Sequence, residues 1–100
     1  MAIDAIKIKN SDNVATALRE INAAESIQCM VGDETLTMDT GEYIQYGHKF
    51  ATESIAKGDN IIKYGEVIGR ATADIARGFH VHIHNVESLR GRGDLETENG

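Results

Sequence analysis

The sequence predicts a single, mostly β domain made of two pseudo-symmetric halves, with short helices between strands. Three observations carry this. The chain has 100 residues, room for one domain and not for two. A segment recurs at an offset of 20 residues: Ala51-Thr52-Glu53-Ser54-Ile55-Ala56-Lys57-Gly58-Asp59-Asn60-Ile61 aligns with Ala71-Thr72-Ala73-Asp74-Ile75-Ala76-Arg77-Gly78-Phe79-His80-Val81, with Ala, Thr, Ile, Ala and Gly unchanged. Two copies are too few for a solenoid, which needs about three, so a pseudo-symmetric pair is the better reading. Last, Gly78-Phe79-His80-Val81-His82-Ile83-His84-Asn85 alternates imidazole with aliphatic residues, the period of a strand.

Along the chain, Ile3 to Lys9 reads as a first strand. Ser11, Asp12 and Asn13 offer N-cap oxygens before Val14-Ala15-Thr16-Ala17-Leu18-Arg19-Glu20-Ile21, whose apolar positions 14, 17, 18 and 21 follow helical spacing. That helix would be about two turns long and would depend on tertiary packing. Ser26–Val31 and Thr35–Met38 flank Gly32-Asp33-Glu34 and suit a hairpin. From Tyr46 onward glycine recurs at 47, 58, 65, 69 and 78, and the chain has no proline, so glycine must supply the positive-φ turns. In each repeat copy, Ile-Ala-Lys/Arg-Gly reads as a helical turn closed by glycine and followed by a strand. Residues 1–90 form the predicted domain. Residues 91–100 are polar, glycine-punctuated and aperiodic, and read as a flexible tail. The tail contains Arg92-Gly93-Asp94, a cell-adhesion tripeptide in secreted proteins and a coincidence in an intracellular one.

Composition removes several functions. The hydrophobic fraction is 41% but the aromatic fraction only 5%, with no tryptophan, which leaves little for stacking on bases. The net charge is −6, from 16 acidic and 10 basic residues, and the basic ones are dispersed. Nucleic acid is therefore excluded as a partner. One cysteine, Cys29, cannot form an internal disulfide and lies in an apolar run, as a buried thiol would. No apolar run approaches the roughly 18 residues of a membrane span, and no signal-peptide pattern is present, so the sequence predicts a cytoplasmic protein without membrane attachment.

The chemistry concentrates at the histidines. On a strand, His80, His82 and His84 share one face, while Val81 and Ile83 point into the core. Same-face neighbours lie roughly 6.5–7 Å apart, close enough for two imidazoles to share a metal ion. The sister copy carries Asn60, Ile62 and Tyr64 at the matching positions, so scaffold symmetry does not demand histidine. His48 follows a flexible glycine and precedes Lys49, a polar pair able to approach the same site.

Tyr46-Gly47-His48-Lys49-Phe50-Ala51, Ile55-Ala56-Lys57-Gly58, Lys63-Tyr64-Gly65-Glu66-Val67-Ile68-Gly69 and His80-Val81-His82-Ile83-His84-Asn85, with Asp12-Asn13-Val14-Ala15 before them, resemble one family. It is the SAF-type N-terminal domain of altronate and galactarate dehydratases, which in sulfolactate sulfo-lyase is a separate small subunit. The resemblance spans roughly residues 5–90. It implies a β-clip fold of interlocking pseudo-symmetric halves, in agreement with the repeat. It also implies a hydro-lyase reaction: loss of the proton α to a carboxylate and of the β hydroxyl, giving a keto-deoxy acid. Weak acidity at the α carbon calls for a cation or strong donors beside the developing charge.

On that reading His48, His82 and Lys49 are catalytic, and Asn85 and His80 bind substrate. His82 and His84 hold a divalent metal, Fe²⁺ or Mn²⁺, completed by a large dehydratase subunit. The same reading allows a homo-oligomer, with a small hydroxy acid as substrate. Two alternatives share these residues: a sulfolactate sulfo-lyase small subunit, and a non-catalytic sugar-acid-binding or assembly module. They differ in whether the histidines are needed for turnover or only for affinity. A stand-alone metal carrier fits less well, because no soft or carboxylate ligand closes the site.

Overall fold

The computed structural model describes residues 2–88. They form nine strands: β1 (Ala5–Lys7), β2 (Val14–Ala17), β3 (Ser26–Val31), β4 (Glu34–Asp39), β5 (Lys49–Ala51), β6 (Asn60–Lys63), β7 (Glu66–Ala71), β8 (His80–Val81) and β9 (Val86–Ser88). A six-stranded sheet runs β4-β3-β1-β2-β5-β8, and a three-stranded sheet runs β6-β7-β9. Only β1 and β3 pair in parallel; the other pairings are antiparallel.

Short strands leave the structure to loops, and here the loops are regular. Ile55 and Ile75 exchange backbone hydrogen bonds of 2.8 and 2.7 Å. Around them Gly58 N donates to Ala71 O and Gly78 N to Ala51 O, while Ala71 N donates to Asp59 O and Ala51 N to Phe79 O. The two repeat copies thus clasp each other about a local two-fold axis. Residues 17–26 and 40–49 make the same clasp. Ile21 and Ile44 exchange bonds, Ala24 N and Gly47 N donate to Thr40 O and Ala17 O, and Thr40 N and Ala17 N donate to Glu25 O and His48 O. One residue in each loop adopts positive φ: Ala24 at 63°, Gly47 at 84°, Gly58 at 92° and Gly78 at 87°. Glycine takes such angles without a Cβ penalty, so three of four positions use it.

Each clasp closes over its own core. The first holds Ala5, Ala15, Ala17, Ile21, Ile27, Cys29, Met38, Ile44 and Phe50. The second holds Val14, Ala51, Ile55, Ile61, Ala71, Ile75 and Val81. β2 and β5 serve both, because adjacent strand residues face opposite ways: Val14 and Ala51 enter the second core, Ala15 and Phe50 the first. Burial raises the Cys29 thiol pKa, against a small opposing pull from Lys7, to about 11, so it stays protonated.

This double burial overturns the helix predicted over Val14–Ile21. The described residues contain no helix. The segment is strand β2 followed by the first clasp loop, and Leu18, an expected core residue, is 46% exposed. Its cap residues work elsewhere. Buried Asp12 accepts from Lys9 N at 3.1 Å, Tyr64 N at 3.0 Å and Gly65 N at 2.8 Å. Asn13 accepts from Ile62 N and donates to Asn60 O, both at 2.8 Å. Together they hold the β6–β7 turn, where Tyr64 and Gly65 both have positive φ, as a two-residue hairpin loop with mirror-image geometry requires.

The predicted hairpin is present, with Gly32 at φ 59° and Glu34 already paired with Val31 in the ladder. The first strand is shorter than expected, and it buries Ala5 and Lys7 while Ile8 is exposed. No helix of the described residues is long and apolar enough to cross a membrane. The predicted tail over 91–100 lies outside the described residues.

Candidate active site

The site forms where one loop of each clasp leaves its core. His48 ends residues 40–49 and His80 ends residues 71–80; β5 and β8 then pair, with Phe50 opposite His80. That pairing brings His48 Nδ1 to 2.8 Å from His80 Nε2.

Beyond His80 the chain departs from the predicted strand. β8 ends at Val81, which is buried, and residues 82–85 turn back. Asn85 staples the turn: its Oδ1 accepts from His82 N at 2.9 Å and its Nδ2 donates to His80 O at 2.7 Å. An asparagine side chain can mimic a backbone turn in this way, and it competes with strand extension. Ile83 is consequently 84% exposed instead of core. His82 folds over His48, with ring centroids 4.4 Å apart and planes at 22°. His80 lies 5.0 Å from His48 and 5.2 Å from His82, nearly parallel to both.

His48, His80 and His82, each half-buried, therefore place one ring nitrogen apiece within 4.8 Å of one another. His84 stands outside this group, tilted by 39° at 5.2 Å from His80. Strand alternation points to His82 with His84; the ring nitrogens that gather within 4.8 Å are those of His48, His80 and His82. Asn85, expected to meet substrate, spends both ends of its amide on the backbone.

The electrostatics favour neutral rings at His80 and His82. Burial first, and then the neighbouring imidazoles, lower the pKa of His80, with Glu42 pulling weakly the other way. Burial, His48, Lys49 and His84 lower that of His82. Neutral imidazole is the form that binds metal. The 2.8 Å contact is a hydrogen bond in which one ring nitrogen donates, and that proton must move to the other nitrogen of its ring before both can be ligands.

Beside the cluster a cavity of about 310 Å³ is lined by Lys49, Ile68, His82, Ile83, Val86 and Ser88. Lys49 enters from β5, and burial together with the charge of Lys63 holds its pKa below the usual ammonium value.

Two supports escaped the sequence reading. Glu42 accepts a 3.0 Å hydrogen bond from His80 N. Gly41 leaves room for Phe79, whose ring occupies the space a Cβ there would need. The sequence signal for this loop was Ile44-Gln45-Tyr46-Gly47, a third copy of the Ile-x-x-Gly pattern; in the loop Gly41 N donates to Gly78 O.

Clasped loop pairs joined to short strands define a β-clip domain. The chain belongs to the SAF-domain family of altronate/galactarate dehydratases, whose family model matches residues 3–89. It is 49% identical over 83 residues to altronate dehydratase of Escherichia coli, and 40% identical over 83 residues to that of Bacillus subtilis. Each match covers 83% of this chain but only 16% of the dehydratase. It is also 34% identical over 95 residues to (2R)-sulfolactate sulfo-lyase subunit alpha of Chromohalobacter salexigens, covering 90% of this chain and 99% of that subunit.

Proposed function

We propose that this domain is the small part of a hydroxy-acid hydro-lyase of the altronate/galactarate type, acting against a larger dehydratase subunit. The observation that carries this reading is the convergence of His48, His80 and His82, the last of which lines a cavity that also holds a lysine. The grouping supports His48, His80 and His82 as ligands of a divalent ion, Fe²⁺ or Mn²⁺, since imidazole suits such metals and carboxylate or water ligands from a partner would complete the shell.

When bound, that ion would supply positive charge beside the substrate's acid and hydroxyl groups. The residues of this chain do the rest of their share. The ring stack fixes the imidazoles against rotation, and Asn85 holds the His82 backbone so that its ring faces the cavity edge. Ile68 and Val86 keep water from one wall. The exposed Ile83 beside the cavity is where the larger subunit would cover it.

Isothermal titration with Mn²⁺, Fe²⁺ and Zn²⁺ tests the ligand set. One ion per chain is expected, with affinity reduced about 100-fold or more in His80→Ala and within about 3-fold of wild type in His84→Ala. Absence of binding in the wild-type chain would remove the metal from this domain. Turnover of altronate, galactarate and sulfolactate with the larger subunit added then tests the activity. Loss of turnover in His82→Ala supports a catalytic role, whereas a change in affinity alone would make this a binding module. A specific observation favours sulfolactate as the second reading: the alpha subunit of that lyase is matched over nearly its whole length.

A further inference from the structure

The chain is acidic overall, yet the wall of the cavity beside the histidines is not. Its lining residues are Lys49, Ile68, His82, Ile83, Val86 and Ser88, and none is a carboxylate. Glu87 lies between two of them on β9, and strand alternation turns it toward the opposite face, in register with Arg70. The Lys49 side chain is half-buried, and its ammonium makes no hydrogen bond or ion pair with the described residues. Lys63 adds a second positive charge near enough to act on it. A lysine drawn partly out of water without a counter-ion is a cost the fold carries for nothing, unless an anion supplies the missing charge.

We propose that Lys49 is the anchor for the acid group of the substrate, with the cavity between Lys49 and His82 receiving a small oxyanion-bearing hydroxy acid. This deepens the lyase reading and rests on it for the identity of the ligand, but not for the existence of the anion site. The geometry fits a small molecule. A cavity of about 310 Å³ lies at the lower end of the roughly 300–1,000 Å³ typical of ligand sites. Its lining combines an ammonium, an imidazole and aliphatic wall. An acid bound at Lys49 would place its carbons in the same cavity as His82. Ile68 and Val86 also limit water at the ion pair, which strengthens the attraction. A carboxylate and a sulfonate both offer the charged oxygens that an ammonium needs, so the anchor chemistry is shared by sugar acids and sulfo-acids.

The test uses the whole chain with tartrate as carboxylate probe, isethionate as sulfonate probe and erythritol as neutral control. Binding is read by calorimetry and by ring-proton shifts of the histidines. Tartrate or isethionate should bind and erythritol should not. The acid that binds more tightly identifies which head group the site prefers. Lys49→Met, which keeps an apolar stem of similar length, should weaken acid binding about 10-fold or more, and Lys63→Met about 3-fold. Mn²⁺ affinity in Lys49→Met should stay within about 3-fold of wild type, which shows that the cluster is intact. Equal binding of acid by wild type and Lys49→Met, equal binding of erythritol, or no acid binding at millimolar concentration would each overturn the anchor. Acid binding that needs Lys49 in a chain that takes up no Mn²⁺ would instead overturn the metal reading and leave the anchor standing.

Discussion

Residues 51–65 and 71–85 begin alike and end differently. Both clasp their partner through the same hydrogen bonds, and both close with a glycine at positive φ. The first copy then runs on as β6 into a tight turn and returns as β7. The second leaves its strand after two residues and folds over itself under Asn85. The difference separates scaffold from site. Copy one is held from outside, by Asp12 and Asn13, which lead into β2. Copy two is held from within, by one amide, and what it gains is three imidazoles gathered where a hairpin would have spread them.

The largest effect should come from breaking the external support. Asp12→Ala leaves three backbone N–H groups without their acceptor, in a site buried to 1% exposure. A loss of about 3 kcal/mol is expected, lowering the midpoint of thermal unfolding by roughly 12–20 °C. Metal affinity measured well below that midpoint should be unchanged, because copy two does not use Asp12.

Breaking the internal support should reverse that pattern. Asn85→Ala removes two hydrogen bonds at a partly exposed turn, worth about 1–2 kcal/mol in thermal unfolding. It should also lower Mn²⁺ affinity about 10- to 100-fold, as loss of a ligand's support does elsewhere. If the affinity survives, the stack of His48, His80 and His82 holds itself together and the staple is only structural.

The sequence showed the copies and missed how they would part. The 20-residue repeat and the Gly32-Asp33 hairpin were legible because glycine spacing and strand alternation are local signals. The convergence of His48 with His80 was not, since it depends on the pairing of β5 with β8, two strands 31 residues apart at their start. The histidine alternation was genuine, but an Asx-type staple outcompeted the strand, and such competition is invisible in periodicity alone. The false helix over Val14–Ile21 has a parallel cause. A strand buried on both faces loses its two-residue period, and what remains of the pattern fits a helix equally well.

The two clasps also differ in charge. In the first, Arg19 bridges Asp4 and Glu25. In the second, the carboxylates of Asp59 and Asp74 accept from backbone amides. Burial works to raise the pKa of Asp4, but the Gln28 amide, the Arg19 hydrogen bond and the Arg19 charge outweigh it and lower the value. A depressed carboxyl stabilises the fold above its unfolded value of about 3.9, and that contribution is lost as pH falls through the lower folded value. Stability should therefore decline below about pH 4, and Arg19→Gln should flatten the decline. An identical acid limb in Arg19→Gln would place the sensitive carboxylate elsewhere.

The smallest expected effect tests the likeness of the four loops themselves. Ala24 occupies at φ 63° the position that glycine fills in the other three. A left-handed alanine costs about 1–2 kcal/mol, and glycine would relieve it. Glycine also loosens the unfolded chain, which takes back about 0.4–1 kcal/mol. Ala24→Gly should therefore stabilise by about 0.5 kcal/mol, a rise of a few degrees in thermal unfolding, while Gly58→Ala at φ 92° should destabilise. Opposite signs at equivalent positions would mean that the four loops share one backbone solution and that Ala24 carries residual strain. A lower midpoint for Ala24→Gly would mean that the first clasp, tied by Arg19, Asp4 and Glu25, has settled into an angle alanine tolerates, and that its likeness to the others stops at the hydrogen bonds.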